Sequence, residues 1–110
     1  MSGWFELNRS TNDRFRFVLK AGNSETILTS ELYQSKDAAL NGITSVQSNC
    51  ADDARYEKKE ASDGRHFFNL KAANHQVIGS SQMYQSAASR DAGIASVMAN
   101  GGSSTVKDQA

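Results

Sequence analysis

The chain has 110 residues, 38% of them hydrophobic and 22% charged, with 12 Lys+Arg against 12 Asp+Glu and a formal net charge of zero. That length suits one compact domain, the composition excludes a disordered chain, and the charge balance excludes a globally basic nucleic-acid binder while leaving room for one basic face. Cys50 is the only cysteine, which excludes an internal disulfide and a cysteine-built zinc site; no apolar run approaches the ~18 residues of a membrane span, Met1–Glu6 does not read as a signal peptide, and a cytoplasmic domain without membrane contact is expected.

In chain order, Trp4-Phe5-Glu6-Leu7-Asn8 alternates as a short strand with Phe5 and Leu7 on one side. Ser10-Thr11-Asn12-Asp13 carries turn chemistry. Arg14–Lys20 is the cleanest strand: Phe15, Phe17 and Leu19 face a core, and Arg14, Arg16 and Lys20 face away. Gly22-Asn23 tolerates positive φ and is expected to close a hairpin, with Glu25–Thr29 returning. A Tyr33-Gln34-Ser35 segment then leads into a helix capped by Ser35, with Asp37 in its first turn. Ala39, Ile43 and Val46 lie on its apolar stripe, and its end is expected near Asn49.

From residue 56 the pattern starts again. A shift of 51 aligns residues 5–49 with 56–100 without a gap, and 17 of the 45 positions are identical, where chance predicts about one in fifteen to twenty. The chain is a tandem repeat. His66, Phe68 and Leu70 take the inward parity of the second copy, and Arg65, Phe67, Asn69 and Lys71 the outward one. Ser86 is the matching helix cap, with Ile94, Val97 and Met98 on the stripe and the end near Asn100. Gly42 and Gly93 fall mid-helix, where glycine costs about 1 kcal/mol relative to alanine; their recurrence predicts that each helix approaches the sheet, or its twin, too closely for a β-carbon. A unit of about 50 residues is short for independent stability, so the copies are expected to share one core, as a symmetric dimer fused into one polypeptide would.

The resulting expectation is an α+β domain spanning 1–110: tandem β-β-β-α repeats (4–50 and 55–101) forming one continuous, antiparallel-rich sheet of about six strands. Both helices pack on one face, about an internal pseudo-twofold. Residues 102–110 are expected to be a flexible tail, with Thr105-Val106-Lys107 as an optional short edge strand.

Gly3-Trp4-Phe5-Glu6-Leu7, the run from Phe15 through Tyr33, Tyr56-Glu57-Lys58-Lys59, Phe68–Asn74, Ile78–Tyr84 and the closing Thr105–Asp108 resemble the small bacterial YegP-like family over essentially the whole chain. The resemblance implies a β(3)-α repeat fold, with duplicated members forming one continuous sheet and single-repeat members forming it as dimers. It implies no biochemical function and no catalytic residues.

Strand parity places Arg14, Arg16, Lys20, Arg55, Lys59, Arg65 and Lys71 on the sheet face away from the helices, opposed by Glu6 and Glu57, with Trp4 and Phe67 among them. Cations interleaved with exposed aromatics on an open sheet suit single-stranded nucleic acid, because phosphates meet the charges while bases stack on the rings. The bland alternative is a solvated face with cross-strand pairs such as Glu6 with Arg16, and Trp4 covering an edge. The loops Lys20–Asn23 and Lys71–Asn74 read as twin ligand-contacting hairpins or as ordinary turns in which Asn takes the left-handed conformation.

Ser30–Tyr33 and Ser81–Tyr84 bring hydroxyls into each strand-to-helix connection. They read as the lining of a seam pocket of about 300 Å3 or more, or as packing residues. His66 and His75 lack companion ligands. Cys50 has no partner for nucleophilic chemistry, and Asp52-Asp53 is the only carboxylate pair. No GxGxxG, GxxxxGK[ST] or HExxH pattern occurs. The reading is a monomeric, non-enzymatic binding domain without cofactor or metal, its partner single-stranded nucleic acid or an acidic protein. A seam-pocket enzyme or small-molecule binder and a protein self-associating through edge strands are the alternatives.

Overall fold

The computed structural model describes residues 3–110. Its strands are β1 (Trp4–Arg9), β2 (Phe15–Lys20), β3 (Thr26–Ser30), β4 (Tyr56–Glu60), β5 (His66–Lys71), β6 (Val77–Ser80) and β7 (Val106–Asp108). Two helices, α1 (Lys36–Asn49) and α2 (Ala87–Asn100), follow β3 and β6. The seven strands make one mixed sheet in the order β4-β5-β6-β3-β2-β1-β7. Every neighbouring pair is antiparallel except β1 and β7. The repeats join through β3 and β6, where Thr29 lies opposite Ser80 and Ser30 opposite Gly79.

Alternation decides the inner face. Phe5, Leu7, Phe17, Leu19, Phe68 and Leu70 are all inaccessible to solvent and meet Ala39, Ile43, Val46, Ile94 and Val97 of the helices in a single core. The rings of Phe5 and Phe17 meet edge to face at 5.9 Å, as those of Tyr56 and Phe68 do at 5.7 Å. Each helix contacts strands of both repeats: α1 lies against β2 and β6, α2 against β5, β3 and β2. Neither repeat therefore buries its own apolar stripe alone. Both helices begin as their sequences predict, with the Ser35 and Ser86 hydroxyls accepting from the Ala38 and Ser89 amides.

Two expectations are corrected. The segment beyond residue 101 is not a free end. β7 runs parallel to β1, with Phe5 N–H donating to Thr105 C=O at 2.9 Å and Gln109 N–H to Leu7 C=O at 2.8 Å, and so caps an edge that would otherwise present unpaired backbone groups. Positive φ falls on Ser24 and His75, one residue after Asn23 and Asn74. The Asn side chains instead accept from the Glu25 and Gln76 amides at 3.1 Å, building each turn from an Asx bond. The close approach expected at each mid-helix glycine is present: the ring of Phe17 in β2 and the Tyr33 side chain crowd Gly42, and the Tyr84 side chain crowds Gly93. A β-carbon on Gly42 would lie 2.5 Å from the Tyr33 hydroxyl and 2.8 Å from the Phe17 ring, and one on Gly93 would strike Tyr84.

Candidate functional site

The outer face of the sheet collects what parity assigns to it. β1 contributes Trp4, Glu6 and Asn8; β2 contributes Arg16, Val18 and Lys20; β5 contributes Phe67, Asn69 and Lys71; β4 contributes Glu57 and Lys59. Short uncharged side chains, Thr29 and Ser80, occupy the middle. Lys107 arrives from β7 opposite Glu6, with its ammonium 4.3 Å from the centre of the Trp4 ring.

The two halves of this face are wired differently. In the second repeat Glu57 lies 3.1 Å from Lys71 and 3.9 Å from Lys59, and it also accepts from Asn69. Hydrogen bonds from Lys71 and Asn69 hold the Glu57 carboxyl below its ordinary range. Asn69 in turn accepts from Ser80 at 2.6 Å, so the polar groups here are mutually satisfied. In the first repeat Glu6 does not pair with Arg16 as expected. Its carboxylate accepts from the Trp4 indole N–H at 2.8 Å, and Arg16 and Lys20 form no ion pair with any described residue. Arg16, Lys20 and Lys107 thus outnumber Glu6 on this half.

The remaining cations lie elsewhere. Arg14 and Arg65 precede β2 and β5 at the turns, and Arg65 closes on Asp63 at 2.7 Å. Arg55 is corrected: it sits in the 3-10 turn Asp53–Arg55 before β4, bonded to Asn49 and beside Asp52, and not on the face. Of the two loop lysines, Lys71 is paired and Lys20 is not.

Among the described residues, Tyr33 and Tyr84 line separate grooves rather than one seam pocket. Each borders its own groove, of about 250 Å3 for Tyr33 with Gly42, Asn74 and Gln76, and about 210 Å3 for Tyr84 with Gly93, Asn23 and Glu25. The Tyr33 groove adjoins a more open depression of about 460 Å3 with which it shares Asn41, Ser45, Ala72 and Asn74, whereas the Tyr84 groove is smaller than the ~300 Å3 at which ligand pockets begin. Tyr33 stacks on Phe17 at 6.1 Å, and burial pushes its phenol up. The serines expected beside the tyrosines serve the backbone. Ser30 Oγ accepts from Phe17 N–H and donates to Glu31 C=O; Ser81 repeats this with Phe68 and Gln82. Cys50 is buried and its thiol is raised by that burial. His66 is half-buried at the core rim, its Nδ1 without a hydrogen-bond partner. Among the described residues no group of His, Cys, Asp and Glu could hold a metal ion, and no helix is long and apolar enough to cross a membrane.

A family model described as a domain of unknown function, DUF1508, matches residues 10–57 and again 61–108. The chain belongs to this YegP-like family. Family members of matching length include the UPF0339 protein YegP of Escherichia coli K12, 68% identical over 108 residues and 98% of each chain, and the UPF0339 protein of Shewanella oneidensis, 63% identical with the same coverage. The solution NMR structure of the E. coli protein, titled as of unknown function, superposes with a TM-score of 0.94 over 99% of this chain and 94% of that one. That of the Shewanella protein gives 0.93, over 98% and 92%. The family repeats stand 51 residues apart, the same shift that aligns the two copies within the sequence.

Proposed function

We propose that this chain is a non-enzymatic binding domain that takes a polyanion, single-stranded nucleic acid first, on the first-repeat half of its outer sheet face. The observation that carries the reading is that Arg16 and Lys20 alternate along β2 with no acidic partner beside Trp4, whereas the lysines of the second repeat are neutralised by Glu57. Unpaired cations track phosphates, and the partly exposed Trp4 indole adds an aromatic group beside them. Support for a non-enzymatic role comes from the nucleophile candidates. The Ser30 and Ser81 hydroxyls are committed to the backbone, and the Cys50 thiol is buried.

The reading takes the molecule as a cytoplasmic monomer with an internal pseudo-twofold passing between Thr29 and Ser80. Two features support that axis: these facing residues are themselves related by the shift of 51, and the order of β4 through β1 is unchanged when the repeats are exchanged.

Titration of the labelled protein with a single-stranded oligothymidylate at low and moderate salt tests it. Amide shifts at Arg16 and Lys20 and at the Trp4 indole, weakening steeply as salt rises, are expected. Unmoved signals there, or binding only of acidic peptides, overturn the nucleic-acid assignment.

A further inference from the structure

Each helix packs beside a turn of the other repeat, and the first of these junctions forms an uncharged groove on the helix side of the sheet. α1 lies beside the turn between β5 and β6, and α2 beside the turn between β2 and β3. At the first junction the cavity of about 250 Å3 beside Tyr33 runs into the depression of about 460 Å3 along Asn41, Ser45 and Asn74. Residues 38–50 and 72–89 contain no Asp, Glu, Lys or Arg, in a chain that is 22% charged. Apart from Tyr33 and Glu31, every residue lining the two hollows comes from those stretches. Among the described residues Glu31 is therefore their one formal charge.

The groove wall on α1 is built from Asn41, Thr44, Ser45 and Ser48, at the i, i+3, i+4 and i+7 spacing of one helical face. The shift of 51 carries them to Ala92, Ala95, Ser96 and Ala99, so the polar row belongs to one junction and not to the fold. Alanine is the better helix former, and α1 carries its amide and hydroxyls against that propensity. Thr44 donates to Leu40 C=O, and Ser45 accepts from Asn49. The other groups are left for an occupant. Among the described residues the side chains of Asn41, Ser48 and Gln76 and the Tyr33 hydroxyl form no hydrogen bond. Asn74 uses only its Oδ1, which accepts from the Gln76 amide at 3.1 Å.

We propose that this groove binds a neutral saccharide. Each Asn or Gln amide offers an acceptor and two donors in one plane, a pattern that meets adjacent hydroxyls of a sugar ring. Ala72, Ala73 and Val77 supply small apolar surface for the C–H face of the ring. Burial raises the Tyr33 phenol, so it keeps its proton in neutral solution and can donate. The lining holds no cation to receive a carboxylate or phosphate, and the Glu31 carboxylate repels both, which selects against acidic sugars. The depression falls within the ~300–1,000 Å3 of small-molecule sites. At the second junction Asn41 and Gln76 are replaced by Ala92 and Glu25, so that groove lacks the paired amides and serves as an internal comparison.

Titration of the full labelled chain with maltose and with N-acetylglucosamine tests the proposal, with glucuronate as the anionic control. Saturating shifts are expected at the side-chain amides of Asn41, Asn74 and Gln76 and at the backbone amides of Ala72 and Ala73. Signals of Asn23 and Ala92 at the second junction should stay in place. Asn41→Ala, which installs the residue α2 carries at that position, and Ser48→Ala should each weaken binding about two- to tenfold, the scale of one neutral hydrogen bond. Both side chains are exposed and alanine favours the helix, so the variants remain folded. Shifts that climb linearly with both sugars, equal binding of glucuronate, equal shifts at Asn23 and Ala92, or undiminished affinity in Asn41→Ala would each overturn the proposal. The outer-face reading can fail in its own titration without touching this one.

Discussion

Glu57 stands within reach of Lys71 and Lys59, and bonds from Lys71 and Asn69 lower its pKa. A lowered carboxyl contributes its pairing fully above the ordinary value of about 4.3 and loses it as pH falls through the lower folded value, so at neutral pH both lysines are held. Glu57→Gln is expected to free them and to tighten oligonucleotide binding about two- to fivefold at low salt, the scale of a surface ion pair; anisotropy titration of a labelled oligonucleotide reads it. Glycine makes a second residue-level argument. Alanine at Gly42 gains about 1 kcal/mol of helix propensity, but its β-carbon meets the fully buried Phe17 as well as Tyr33. Overpacking of that kind costs about 1–3 kcal/mol, so Gly42→Ala is expected to lower the urea midpoint. Gly93→Ala should lower it less, because the nearest atoms its β-carbon meets belong to the partly buried Tyr84 and to no fully buried ring.

At the scale of elements, β3 and β6 each end where the chain leaves the sheet for a helix, and the serine there supplies an acceptor to the neighbouring strand. Ser30→Ala would leave the buried Phe17 N–H without its 2.9 Å partner, a loss of about 1–3 kcal/mol. Ser81→Ala is expected to cost less, because Ser81 is partly exposed and water can take its place at Phe68 N–H. Thermal unfolding of the two variants compares them directly. This bonding was not legible in the sequence, where Ser30 and Ser81 read as lining for a pocket. What was legible had a local cause: the alternation of Phe15, Phe17 and Leu19 and its echo in His66, Phe68 and Leu70, the serine caps, and the paired glycines. Those glycines announced a close approach, but the approaching group is set by packing, which brings Tyr33 and Tyr84 onto the helices. Parity likewise put Arg16, Lys20, Phe67 and Lys71 on one face. It could not say that Glu57 would turn to Lys71 while its counterpart Glu6 turned to Trp4, because such choices among long side chains depend on neighbours across strands.

On the scale of the whole molecule, the asymmetry between equivalent edges rests on the last residues of the chain. β7 is three exposed residues long and carries no periodic signal, so its place beside β1 comes from contacts with distant parts of the chain: Lys36 to Asp108, Lys107 to Trp4, and Gln47 to Ser103. The Lys36 ammonium, and then the Ala110 amide, hold the Asp108 carboxyl below its ordinary range. By the same sign as for Glu57, this anchor is complete above the unfolded value of about 3.9 and lets go as pH falls through the lower folded one. Asp108→Asn reproduces the release at neutral pH. Because both partners of the pair are more than two-fifths exposed, its contribution is modest. The Gln109 amide, bonded to Leu7 C=O at 2.8 Å, is expected to exchange about two- to fivefold faster in the variant. The Trp4 indole signal should move as Lys107 leaves its ring, while the amides of β4 and β5 stay unchanged. Exchange at Gln109 equal to that of the parent protein would instead assign the tail's position to its backbone ladder alone.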